Sequence, residues 1–224
     1  MEINPYKFPF IVLEGIDGCG KSSQTGRLMR WFEAKTNISA FFTFEPTNGV
    51  FGKKSKEIIL SHKGTPAEEL QMTIIKDRKE HRRKETEILK IKPIISDRDF
   101  LSAFAYGISE GLGLLWVYNQ HEIILGDLFF IPDLILIIDI EPARAMDRKL
   151  KNGKRFDRFE DSLKKQKSIR GLYLSLPALL DDIDSEFKKM KIIIIDGAMP
   201  EEEVFKAILR HIKEIFWQKT GIGI

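Results

Sequence analysis

Between positions 10 and 23 the chain reads FIVLEGIDGCGKSS, an apolar run that stops at a glycine-rich turn and continues into polar helix formers. The spacing is Gly15-x-x-x-x-Gly20-Lys21-Ser22, the phosphate-cradling P-loop pattern. Phosphate oxygens must be approached by backbone N–H groups, and glycines allow this because no side chain intervenes and unusual dihedrals are tolerated. A helix beginning near Ser22 adds the positive end of its dipole. Gly15, Gly18, Cys19, Gly20, Lys21, Ser22 and Ser23 are therefore the candidate triphosphate site. Lys21 is placed to reach the terminal phosphates and the Ser22 hydroxyl to ligate Mg²⁺. The context is also right: Phe10 to Leu13 reads as a buried strand, and QTGRLMRWFEAK reads as a helix. A glycine-rich turn that binds nothing would not need all four motif positions filled in that context.

The 224 residues suffice for one α/β domain, and no composition shift asks for a second. The balance of 36 basic and 33 acidic residues leaves +3, too little to argue for nucleic-acid binding. The single cysteine, Cys19, excludes an internal disulfide and any multi-cysteine zinc site, and inside the loop it reads as a small spacer. No apolar run approaches a membrane span, and MEINPYKFPF lacks a signal-peptide core, so a cytoplasmic location is expected.

Strand-like runs recur at 10–14, 40–45, 93–97, 134–140 and 191–197, separated by longer helical patterns. Such alternation predicts a parallel sheet covered on both faces. The segment ELQMTIIKDRKEHRRKETEILK has helical spacing with charges that read as a solvated face, and Arg78 projects from the same side as Ile74, one turn earlier. The third strand ends in Ser96-Asp97-Arg98. Asp97, at the carboxyl end of a strand beside a P-loop, suits either a Mg²⁺ ligand or a strand-end cap. The apolar stretch from 100 to 130 reads as two helices around a break at Gly111 and Gly113, with a surplus of apolar residues that could serve core or subunit interface. Arg148, Lys149, Lys151, Lys154, Arg155 and Arg158 crowd around Asn152-Gly153, as in a solvated loop or a basic lid over phosphates; beside a P-loop the lid reading, over about 148–158, is preferred. Pro200 and EEEV predict the start of a closing helix that packs through Val204, Ile208 and Ile212.

Taken together, FIVLEGIDGCGKSS, FEPT at 44–47, Asp77-Arg78, SDR followed by Ser102, Ala105 and Tyr106, PDLILIIDIEPARAMDR, DRFE at 157–160, IRGLY and IDG at 195–197 resemble the thymidylate kinase family of P-loop nucleoside monophosphate kinases. The resemblance implies a P-loop NTPase fold with a five-stranded parallel sheet, commonly a homodimer, and transfer of the γ-phosphoryl of ATP to dTMP with Mg²⁺ as cofactor. It further implies that Arg98 and Arg78 clamp the acceptor phosphate and that Asp17 lies near the acceptor sugar or phosphate. Glu45, Pro46, Ile74, Ser102 and Tyr106 would line the acceptor, Asp97 would reach the metal's outer shell, and Ala198 would lie near the donor adenine. Because Gly18 stands where some members carry a loop arginine, the charge that stabilises the transition state is expected from the lid, from Arg155, Arg148 or Arg158 in that order.

This chain departs from the family at the acceptor end: Ile74 replaces a stacking phenylalanine, Phe44 an arginine, Asp99 an aromatic or histidine, and Gly107 a glutamine. Two readings compete with thymidylate phosphorylation. One is a P-loop deoxynucleoside kinase, or a kinase for another nucleoside monophosphate. The other is a nucleotide-binding regulator without turnover. The arginine pair, surplus for an uncharged nucleoside, favours the monophosphate.

Overall fold

Strand β1 (Phe10–Glu14) is buried at all its positions, as befits a strand with neighbours on both edges and helices on both faces. The computed structural model describes the chain apart from Met1, Thr36, His62, Lys63, Asn152, Lys154, Arg155 and Asp161. Among the described residues, β1 joins β2 (Phe41–Phe44), β3 (Ile94–Asp97), β4 (Leu134–Asp139) and β5 (Ile192–Asp196) in a five-stranded sheet of order β2-β3-β1-β4-β5. All four pairings are parallel. The strands lie within one residue at each end of the runs read from the sequence.

Eight α-helices accompany the strands among the described residues: α1 (Lys21–Lys35), α2 (Val50–Leu60), α3 (Ala67–Leu89), α4 (Phe100–Ser109), α5 (Leu114–Leu125), α6 (Pro142–Lys151), α7 (Leu163–Asp181) and, after β5, α8 (Glu201–Thr220). Helices α1 and α8 pack together against one side of the sheet, while α3, α4, α5 and α7 pack on one another on the other side. The break between α4 and α5 falls at Gly111, whose φ of 96° is left-handed. Helix α8 starts after Pro200 with three glutamates in its first turn, and Val204, Ile208 and Ile212 are buried as expected.

The strand order creates the crevice. From β1 the chain moves outward to β2, whereas from β3 it crosses over β1 to reach β4. The connections leaving these two neighbouring strands run in opposite directions, and a ligand cleft opens at their carboxyl ends. The register pairs Leu13 with Asp97, so the glycine turn after β1 and the Asp97-Arg98 pair after β3 stand side by side.

One expectation fails in α3. Apart from Arg78, its charges were expected on a solvated face, yet Asp77, His81, Arg82 and Glu85 are buried as well. Periodicity reports where charges lie on a helix but not whether partners await them. Here Arg82 meets Glu85 at 2.8 Å and Asp99 at 2.5 Å, with its guanidinium 4.4 Å from the Phe10 ring centroid and 4.5 Å from that of Phe130. His81 meets Glu45 at 3.2 Å and Glu85 at 3.4 Å. Opposite charges and ring faces replace the lost hydration.

Replacing Arg82 by Leu strips a buried partner from both Asp99 and Glu85. Urea unfolding should then show a loss of about 3 kcal/mol or more; a loss below about 1 kcal/mol would mean that those carboxylates reach water.

Candidate active site

The turn after β1 takes its shape from three left-handed glycines, Gly15 (φ 136°), Gly18 (φ 80°) and Gly20 (φ 112°). At Gly18 the constraint is double, since a Cβ there would stand 2.3 Å from the carbonyl oxygen of Ala145. Helix α1 begins directly at Lys21, so the loop amides and the helix N-terminus face the same space. Lys21 is buried, and its Nζ donates to the carbonyls of Gly15 (2.9 Å) and Ile16 (3.0 Å) and lies 3.7 Å from Cys19 Sγ. Ser22 Oγ donates to Asp97 Oδ2 at 2.9 Å, bringing a hydroxyl from the first turn of α1 and a carboxylate from the end of β3 to one point.

A cavity of about 730 Å³ extends from this loop, lined by Asp17 to Thr25, Asp97, Arg98 and Arg148, and further out by Gly197 and Met199. Gly15 shapes the turn without lining the cavity. Ala198 is not a wall residue either; its N–H donates to Asp196 Oδ1 at 2.8 Å, while its neighbours on both sides form the wall. Arg148 Nη1 donates to the Gly197 carbonyl at 3.1 Å.

A second cavity of about 280 Å³ adjoins the first and shares Asp17, Glu45, Pro46, Lys56 and Arg98 with it. Ile74, Arg78, Ser102, Ala103, Tyr106 and Phe159 form much of the remaining wall. Arg98 is the centre of this junction. Its φ of 77° is left-handed, and its backbone N–H donates to the Leu13 carbonyl at 2.9 Å. Its guanidinium donates to Asp17 Oδ1 (2.6 Å), Ser102 Oγ (2.9 Å), Tyr173 OH (2.9 Å), Tyr106 OH (3.1 Å) and the Gly15 carbonyl (3.2 Å). Burial works against ionisation of Asp17, but Arg98, Lys21 and Lys149 outweigh it and hold the carboxyl well below the usual range.

Arg78 reaches the second cavity with 1 % of its side chain exposed. Glu45 Oε2 accepts from its Nε at 2.9 Å and its Nη2 at 2.5 Å. Burial would raise the Glu45 pKa, yet Arg78 and His81 bring it down to about 2. The two arginines named from the sequence thus converge on one cleft.

The departures resolve unevenly. Ile74 is an aliphatic wall of the second cavity, and the aromatic surface there comes from Tyr106 and from Phe159, whose ring meets Tyr106 edge-on at 4.7 Å. Phe159 was quoted within DRFE but not recognised as a wall residue, because nothing local shows that this segment returns across the cleft. Phe44 lines the first cavity only, half-exposed beneath Lys56. Asp99 is turned inward, 3.2 Å from Arg78 Nε and paired with Arg82, so its charge is matched rather than free. Beside Gly107, the Gln71 amide lies 3.2 Å from where a Cβ would stand, so α3 fills that space.

Of the three lid arginines, Arg155 lies outside the described residues, and Arg148 lines the donor-side cavity. Arg158 pairs with Glu110 and lines neither cavity. Lys149 pairs with Glu160 and joins the loop wall.

Behind the junction lies Glu14, wholly buried at the end of β1. Its Oε1 accepts from the backbone N–H of Asp99 at 2.8 Å, and its Oε2 accepts from Ser102 Oγ at 2.6 Å and Tyr173 OH at 3.2 Å, two hydroxyls that also hold Arg98. Burial raises its pKa to about 7, against the opposing pull of Arg98 and of its donors. The folded chain therefore retains a proton that the unfolded chain releases near 4.5. This favours folding at low pH and is lost as pH rises towards 7. Relative to a Glu14→Gln variant, the native chain should lose on the order of 3 kcal/mol of unfolding free energy between pH 4.5 and 7 and run parallel above that. Parallel curves across the whole range would show that Glu14 stays ionised.

The family model described as "Thymidylate kinase" matches residues 13–208. A "Thymidylate kinase" of Brachyspira hyodysenteriae is 34 % identical over 215 residues, covering 93 % of this chain and 95 % of the relative. A "Probable thymidylate kinase" of Methanococcus maripaludis is 34 % identical over 205 residues (91 % and 94 %), and one of Pyrococcus abyssi is 30 % identical over 211 residues (91 % and 95 %). With its glycine loop, its Ser22–Asp97 pair and its two converging arginines, the chain belongs to the thymidylate kinase family.

Proposed function

We propose that the protein transfers the γ-phosphoryl group of ATP to dTMP, giving ADP and dTDP. The observation that carries this reading is the shared wall. A cavity built on a phosphate-binding loop opens into a smaller, more apolar one, with Arg98 and Asp17 common to both. Phosphoryl transfer requires alignment and charge neutralisation rather than covalent help, and the inventory here is of that kind.

In this reading the amides of Gly18 and Gly20 and the Lys21 ammonium hold the donor phosphates. Ser22 and Asp97 offer the hard oxygen ligands that Mg²⁺ prefers, converging at the loop mouth, so these residues fit the ion. When bound, it would supply Lewis-acid charge that offsets the donor phosphates. Arg98 neutralises the acceptor phosphate beside the γ-phosphoryl, with Asp17 orienting its guanidinium. Arg78, its charge already countered by Glu45, presents N–H groups to the acceptor from the opposite wall, where Ile74, Tyr106 and Phe159 enclose it. Arg148, beside Gly197, serves the donor, and the lid over about 148–158 excludes water. Exposed Leu115 and Ile123 on α5 support a homodimer contact. No helix of the described residues is long and apolar enough to cross a membrane, in keeping with a cytoplasmic place of work.

The test is a substrate panel with ATP and Mg²⁺. Turnover of dTMP should exceed that of dCMP, dUMP, dGMP, AMP and thymidine; preference for thymidine would move the protein among deoxynucleoside kinases, and ATP binding without turnover would make it a regulator. Lys21→Ala should lower kcat by about a hundredfold or more, since Arg98, which also donates to the Gly15 carbonyl, is held by Asp17, Tyr106 and Tyr173 and cannot take the ammonium's place. A change below about fivefold would misplace the phosphate site.

A further inference from the structure

His121 lies on α5, outside every motif used above, and is wholly buried. Its ring is held between Phe104 (centroids 4.9 Å apart) and Phe129 (5.4 Å). Nδ1 is 2.8 Å from the carbonyl oxygen of Val117, and a carbonyl can only accept, so Nδ1 carries the hydrogen. Nε2 is 2.7 Å from Nη1 of Arg78, and a guanidinium can only donate, so Nε2 presents its lone pair. These two contacts fix the neutral Nδ1–H tautomer. An imidazolium would set one N–H against another and two positive charges side by side. Burial and the Arg78 charge accordingly push the His121 pKa down to about 3.

A guanidinium has five N–H groups, one on Nε and two on each terminal nitrogen. Glu45 takes one from Nε and one from Nη2, and His121 takes one from Nη1. One N–H therefore remains on each terminal nitrogen, and Arg78 itself lines the 280 Å³ cavity whereas His121 does not. Without His121, Glu45 and the Asp99 carboxylate 3.2 Å from Nε would hold the group from its Nε edge only, and a planar guanidinium held on one edge can tilt about it.

We propose that His121 is a positioning residue for the acceptor site: as a neutral hydrogen-bond acceptor it anchors Nη1 of Arg78, so that with Glu45 it holds the guanidinium in one orientation with two N–H groups free for the acceptor nucleotide. The inference rests on that cavity being the acceptor's. A purely space-filling histidine would give the same burial but would not tie acceptor affinity to an atom that accepts a hydrogen bond.

The experiment compares the unaltered chain with His121→Phe, which keeps a ring between Phe104 and Phe129, and His121→Gln, which restores an accepting atom near the Nε2 position. A lost hydrogen bond to a charged donor predicts a KM for dTMP raised about tenfold or more in His121→Phe, with KM for ATP and kcat within about twofold of the unaltered chain. His121→Gln should recover most of the loss. An unchanged KM for dTMP in His121→Phe, or equal rises for both substrates that His121→Gln fails to recover, would overturn the proposal. Should His121→Phe not fold, nitrogen-15 spectra of the histidine-labelled unaltered chain at pH 7 decide. A protonated Nδ1 with a bare Nε2 whose resonance moves on adding dTMP supports the proposal; the opposite tautomer, an imidazolium, or a resonance indifferent to dTMP overturns it. If the unaltered chain does not turn over dTMP, the proposed function falls, while the spectrum recorded without nucleotide still reports the His121–Arg78 bond.

Discussion

Arg98 sits at the one place where every part of the site meets, and it does so in a backbone conformation that a residue with a Cβ avoids. Such a conformation costs on the order of 1 kcal/mol or more and persists only where the surroundings over-determine it. The surroundings here are unusually complete: a carbonyl from β1 receives its amide, and Asp17, Ser102, Tyr106, Tyr173 and Gly15 receive its side chain. All of this depends on the parallel register of β1 and β3, because a one-residue slip would turn Asp97 away from Ser22 and break the Arg98 to Leu13 bond.

The two cavities differ in how their charges are managed. On the donor side, two of the cavity-lining cations rest on neutral oxygens: Lys21 on backbone carbonyls, and Arg148 on a single one. Behind the acceptor side, Arg78, Arg82, Glu45, Glu85 and Asp99 form a buried set in which each charge has an opposite partner. Such sets add little net stability compared with an apolar core, but breaking one is costly. They suit a wall that must keep one shape while a ligand comes and goes.

Much of this was legible in the sequence, for identifiable reasons. A loop whose backbone must enter left-handed space three times in six residues can be recognised because only glycine enters it freely, and the central strands can be recognised because burial on both faces leaves an unbroken apolar run. Arg78 and Arg98 could be paired because the resemblance placed them in one site. The interior of α3 was hidden, since a charged helix looks alike whether it faces water or a matched set of ions. Phe159 was hidden because it reaches the second cavity from the connection between α6 and α7, far in sequence from the wall residues on α3 and α4. The role of His121 lies furthest from the sequence: it follows from which nitrogen faces a carbonyl, and that is decided by packing among α3, α4 and α5.

The common wall between the cavities has one further implication for the proposed chemistry. Guanidinium and ammonium groups that steady a migrating phosphoryl lie between its two ends, so the same arrangement greets it whichever nucleotide it leaves. Such a machine has no built-in direction, and net flow in either sense is then left to the relative abundance of the four nucleotides around it.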